Sequence, residues 1–82
     1  MNNVEQALYD YIRDTFEIGD DPEYTPEIHL FDNGFVDSLG AFLIITFAET
    51  TWGIEITQRD LTMFPMNTVR EIAAVISEKI TP

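Results

Sequence analysis

Apolar residues recur at helical spacing near both ends of this chain. Val4, Ala7, Leu8, Tyr11, Ile12 and Phe16 fall on one helical face, with Asn3 as a start signal and Gln6 three residues on. That helix is expected to end near Glu17 to Gly19. Val69, Ile72, Ala73, Ile76 and Ile80 trace a second stripe behind Thr68 and Glu71, which have the spacing of a capping box. Each stripe must be buried against the rest of the domain.

The middle of the chain is patterned differently. From Ser38 to Trp52 there is no Pro and a single Gly, which predicts a helix that ends at Gly53. A short helix is expected from about Gln58 to Phe64, capped by Thr57 and stopped by Pro65. Ile54 and Ile56 alternate as in a strand, but so short a run cannot make a sheet. Between Glu17 and Asp37 lies a stretch of about twenty residues with Gly19, Pro22, Pro26 and Gly34, long enough to need anchors of its own. Ile28, Leu30 and Phe31 can turn inward to supply them, and Pro26 with Glu27 can begin a single helical turn. Gly34 after Asn33 suits a positive φ just ahead of Ser38. The reading is an all-α fold: a small four-helix bundle of three main helices plus a short third, with a long first loop, in one domain covering residues 1–82.

The second helix is apolar on two sides. At 100° per residue, Ala41, Ile44, Ile45, Ala48 and Trp52 form a core stripe. Leu39, Phe42, Leu43, Thr46 and Thr50 stand opposite, with Phe47 on the flank, and Glu49 is the one charged residue in the helix. Either this helix is central and buried nearly all round, or it exposes an apolar strip of the kind that marks a binding surface.

Charge narrows the choice of partner. Fifteen acids and four bases give a formal net charge of -11, which repels phosphate backbones and argues against nucleic acid. Ten of the acids and one base lie in residues 1–37, so the field is concentrated before Ser38. Such crowding also predicts that salt stabilises the fold. Hydrophobic residues make up 45%, which fits a folded domain rather than a disordered one. No run is long enough for a membrane span and no signal peptide is visible, so the expectation is a cytoplasmic protein acting as a monomer. There is no Cys, so any thiol chemistry would have to come from a cofactor.

Candidate chemistry is confined to the segment LFDNGFVDSLG, Leu30 to Gly40. Asp and Ser are both favoured helix caps, so Ser38 can be explained as a cap in an unmodified, acidic helical interaction domain. A helix start also offers free N–H donors and partial positive charge, which suit a phosphate ester on the Ser38 hydroxyl. Nothing around Ser38 supports it as a catalytic nucleophile: there is no Gly-x-Ser-x-Gly elbow, and the single His, His29, has no visible Asp partner. His29 reads as an ordinary surface or half-buried residue. Asp32, Gly34 and Val36 do not supply the alternating oxygen ligands of a calcium loop, and no metal site is expected.

With Gly34, Asp37, Ser38 and Leu39 forming Gly-x-x-Asp-Ser-Leu ahead of an apolar helix, the segment resembles the attachment site of acyl carrier proteins and the related peptidyl and D-alanyl carriers. The likeness extends over nearly the whole chain in the order of its helices. It implies a protein that is not an enzyme, in which Ser38 carries 4'-phosphopantetheine donated by coenzyme A. The terminal thiol of that arm would hold an acyl or aminoacyl group as a thioester. The partners implied are a phosphopantetheinyl transferase, an adenylating ligase and downstream acyl-transfer or biosynthetic enzymes, with Asp37 and Leu39 read by them; on the exposed-strip reading of the second helix, Phe42 and Leu43 are further candidates for partner recognition.

Two departures, at three positions, separate it from the fatty acid type of carrier. Leu43 and Thr50 stand where acids would be expected, and Gly40 stands where an acid is common. A Gly inside a helix costs about 1 kcal/mol relative to Ala, so Gly40 requires a local reason, such as close approach of an enzyme to the attachment point. These departures, with LFDNG and the downstream WGIEI, look closer to stand-alone D-alanyl and peptidyl carriers.

Overall fold

A computed structural model describes residues 2–80. It is all-helical, in the order α1 (Asn3–Thr15), α2 (Ser38–Trp52), α3 (Gln58–Met63) and α4 (Val69–Ile80). The stripes of the two terminal helices meet: Leu8 and Ile12 of α1 and Val69, Ile72, Ala73 and Ile76 of α4 are buried in one core cluster, joined by Ile44 and Ala48 of α2. Burying such side chains contributes about 1.5–3 kcal/mol each, which outweighs the modest helix propensity of their β-branched members.

The helix ends follow local chemistry. α1 is capped by Asn2, whose Oδ1 accepts the Glu5 N–H at 2.8 Å, so Asn3 is the first helical residue rather than the expected cap. α1 stops at Thr15, short of the expected end, because the chain turns through Glu17 at φ 54° and the Ile18 N–H reaches back to the Arg13 carbonyl. Glu5 is buried with its carboxylate 3.4 Å from Arg70 of α4, and Arg70 also pairs with Glu27 of the loop. α3 carries a full capping box between Thr57 and Asp60, and ends one residue early because Phe64 is held extended ahead of Pro65. At the start of α4 the Glu71 N–H donates to Thr68 Oγ1, but the Glu71 carboxylate accepts from the Asn67 N–H, so the box expected with Thr68 is half made.

The loop of residues 16–37 is a built structure. Leu30 is fully buried, Ile28 and Phe31 are half-buried, and Tyr24 and Val36 add two buried anchors beyond those expected. Tyr9 and Tyr24 stack at 4.3 Å and exchange hydrogen bonds, each hydroxyl donating to the other's backbone carbonyl. Burial pushes the Tyr24 phenol well above its ordinary value. Backbone bonds from Leu30 N–H to the Asn67 carbonyl and from Arg70 N–H to the Pro26 carbonyl fasten the loop to the start of α4. A single turn closes at Thr25 to Ile28, and Gly34 takes φ 76°. The chain is thereby aimed into α2 from a fixed direction.

Candidate functional site

α2 begins with Asp37, not Ser38, as its cap: Asp37 Oδ1 accepts the Gly40 N–H at 2.8 Å, and the Asp37 carbonyl accepts the Ala41 N–H at 2.9 Å. Ser38 is the first helical residue, exposed, and its hydroxyl makes no hydrogen bond to the described residues. The reading of Ser38 as a helix cap is therefore corrected. An aspartate one position earlier satisfies the orphan donor, and the hydroxyl beside it is left free at a helix N-terminus.

Gly40 also has a reason different from the expected one. It is buried, and a Cβ there would lie 2.7 Å from Phe16 Cε1 and 2.8 Å from Val36 Cγ1. The missing side chain lets the first turn of α2 sit hard against the end of α1 and the loop; it does not open a path for an enzyme. Ser38 is thus held on a rigid turn, with Gly40 facing inward and Leu39 outward.

The outward face of α2 is an exposed apolar strip, as one of the two readings expected. Leu39 is 78% exposed, Phe42 69% and Leu43 47%, against 2% for Ile44 on the other side. Thr46 and Thr50 continue the exposed face, the Thr46 hydroxyl turning back to the Phe42 carbonyl at 3.0 Å. Phe47 does not belong to it: the ring stacks on Tyr11 at 3.8 Å and meets Trp52 edge-on. On the core side Gly40, Ile44 and Ala48 are buried, and Ala41, Ile45 and Trp52 are half-buried.

Glu49 is committed elsewhere. Its carboxylate accepts the Ile56 N–H at 2.9 Å, bracing the turn through Gly53 at φ 64° that leads to α3. Between α2 and α3 lies a cavity of about 440 Å³, with Ala41, Ile44 and Ile45 on one wall and Leu61, Met63 and Phe64 on the other. Its lining is mixed, with Thr62 and Asn67 among mostly apolar side chains, and Ala41, Ile44 and Ile45 follow Ser38 by one to two turns on the same helix. The sequence pattern did not reveal this cavity, because it depends on how α3 is suspended rather than on any periodicity.

His29 shapes the loop ahead of α2, and it does have an acid beside it, contrary to expectation: its Nδ1 accepts the Asp32 N–H at 3.1 Å, its Nε2 lies 3.7 Å from the exposed Asp32 carboxylate, and its ring meets Phe31 edge-on. No group of three or more potential metal ligands occurs among the described residues, and no described helix is long and apolar enough to cross a membrane. Compared with known protein families, curated proteins and solved structures, the chain matches none.

Proposed function

We propose that this protein is a carrier, in which Ser38 is esterified with 4'-phosphopantetheine and the strip beside it is read by the enzymes that load and unload the arm. The observation that carries this reading is that Asp37 takes the capping role, which frees an exposed Ser38 hydroxyl on a rigid first turn. The first-turn N–H groups and the positive end of the helix suit a phosphodiester at this position. When bound, the group supplies the thiol that this Cys-free chain lacks, for holding an acyl or aminoacyl cargo.

The chain's own contribution is placement. Asp37 fixes where α2 starts, Gly40 lets that turn seat on Phe16 and Val36, and Leu39, Phe42 and Leu43 offer apolar contact area to the phosphopantetheinyl transferase, an adenylating ligase and downstream enzymes. With acids absent from the outward face of α2, service to a dedicated, D-alanyl or peptidyl type pathway is favoured over general fatty acid synthesis. The cavity between α2 and α3 falls in the size range of small-ligand pockets and suits the apolar part of a cargo. The protein works in the cytoplasm as a monomer, its charge of -11 opposing self-association.

Intact-mass measurement after incubation with coenzyme A and a broad-specificity transferase tests the proposal. Wild type is expected to gain one phosphopantetheine and Ser38→Ala none. The chain has one other serine, Ser77, so a gain that survives Ser38→Ala would move the site. A folded wild type that gains nothing would leave an unmodified interaction domain that uses the apolar strip alone.

A further inference from the structure

The turn ahead of α2 holds a reactive pair that the carrier role does not use. Asn33 and Gly34 form its tip, both exposed, and Gly34 takes φ 76°. A Cβ at Gly34 would meet no atom within 4 Å, so no neighbour crowds that side of the glycine. Asparagine is among the thermolabile residues, and it is most reactive when the next residue is glycine. There the main-chain nitrogen reaches the side-chain amide with no side chain in its way and with an adaptable backbone. The other asparagines, Asn2, Asn3 and Asn67, precede Asn3, Val4 and Thr68. Side chains at those positions, branched at Cβ in Val4 and Thr68, obstruct the same approach.

Short-range hydrogen bonds hold the tip. The Asn33 side-chain amide donates to the His29 carbonyl at 2.8 Å, and the Asn33 N–H donates to the same oxygen at 3.2 Å. The Gly34 N–H donates to the Phe31 carbonyl at 3.2 Å, and the Asp32 N–H to His29 Nδ1 at 3.1 Å. None of these bonds reaches the core, so the tip opens as a local event. The base of the turn is anchored differently. Phe35 and Val36 both donate their N–H groups to the Leu30 carbonyl, Leu30 is fully buried, and Val36 packs where Gly40 leaves room. A reactive tip thus stands on the base that seats α2.

We propose that Asn33 is a self-modification site, at which the Gly34 nitrogen attacks the side-chain amide and converts Asn33 to isoaspartate, and that this product loosens the seat of α2. When the tip opens, the Gly34 nitrogen gives up its proton and forms a bond to Asn33 Cγ. The Cγ–Nδ2 bond breaks, and Nδ2 leaves with a proton as ammonia. Water then opens the succinimide ring, at the side-chain carbonyl to give aspartate or at the main-chain carbonyl to give isoaspartate. Either product sets a new carboxylate beside Asp32 and removes the donor to the His29 carbonyl. Isoaspartate also routes the main chain through the side-chain carbon, which lengthens the turn between Leu30 and Val36. The partner this chemistry fits is a carboxyl methyltransferase that uses S-adenosylmethionine and reads exposed isoaspartate.

The full chain, folded, is held at physiological temperature and mildly alkaline pH, and samples are digested at intervals for peptide mass. Isoaspartate is read by methyl transfer from S-adenosylmethionine, using an isoaspartate methyltransferase as the probe. Asn33 is expected to convert at least about tenfold faster than Asn67, a difference of about 1.4 kcal/mol in barrier, and to account for most of the methyl acceptance. Asn33→Gln, whose attack would need a larger ring, is expected to abolish both signals. In the separated isoaspartate form, amide exchange at Phe35 and Val36 is expected to quicken about fivefold, for the loss of roughly one hydrogen bond, while exchange within α1 and α4 is unchanged. Conversion of Asn33 no faster than that of Asn67, a product without isoaspartate, methyl acceptance undiminished in Asn33→Gln, or unaltered exchange at Phe35 and Val36 would each overturn the proposal. No step requires a group on Ser38, so the outcome is decided apart from the carrier reading.

Discussion

Both sides of α2 are apolar, yet they face opposite environments. The inner side sets Gly40, Ala41 and Ala48 among Ile44, Ile45 and Trp52, and Gly40 lets the first turn approach Phe16 and Val36 closely. The outer side carries the large ones, Leu39, Phe42 and Leu43, which keep much of their surface in solvent. Apolar character alone therefore does not choose the core side; close packing against Phe16 and Val36 also does. Large apolar residues left outside are unspent binding capacity, and they begin directly after Ser38.

The comparison can be broken most sharply at adjacent positions. Ile44→Glu buries a charge and is expected to unfold the domain, a loss beyond about 4 kcal/mol that far-ultraviolet circular dichroism reads directly. Gly40→Ala forces a methyl into Phe16 and Val36. Overpacking of about 1–3 kcal/mol outweighs the roughly 1 kcal/mol of helix propensity gained, so the denaturation midpoint is expected to fall. A midpoint that rises would show that Phe16 yields and that the inner side is less tightly set than its geometry implies. Asp37→Ala removes the α2 cap and is expected to cost about 1 kcal/mol in a urea melt.

Leu43→Glu, one residue from Ile44, is expected to change stability by no more than about 0.5 kcal/mol. Equal loss of helicity in the Leu43 and Ile44 variants would erase the distinction between the two faces. Smallest of all is the response to salt. The acids of residues 1–37 repel one another, so the melting temperature is expected to rise by about a few degrees from low to moderate ionic strength. A flat profile would mean that the ion pairs of Arg13 and Arg70 already offset the crowding.

Much of this architecture is legible in the residue pattern, and the exceptions have physical causes. The stripes of α1 and α4 and the span of α2 follow from periodicity and from Gly53, and all three are as expected apart from their end residues. The caps went astray by one position at Asn2 and Asp37, since Asn, Asp and Ser are nearly equal as caps and neighbouring candidates cannot be ranked from sequence. Tyr24 and Val36 were missed as anchors because an irregular loop has no period to betray which side chains turn inward. The reason for Gly40 lay in Phe16, twenty-four positions away, and a contact of that kind leaves no local trace. For the candidate site, the free hydroxyl of Ser38 depends on Asp37 taking the cap, a choice that the sequence leaves open between the two neighbours.

The central claim is that one side of α2 holds the fold while the other, starting at Ser38, meets partners. The most direct measurement is the rate of phosphopantetheine transfer to Ser38 in Phe42→Ala and Ile44→Val, followed by intact mass alongside thermal melts. Phe42→Ala is expected to slow transfer about tenfold, equivalent to about 1.4 kcal/mol of lost contact, with its melting temperature unchanged. Ile44→Val is expected to lose about 1 kcal/mol of stability and to be modified at the wild-type rate. Equal rates in both variants, or no transfer to the wild-type protein, would contradict the division of labour between the two faces.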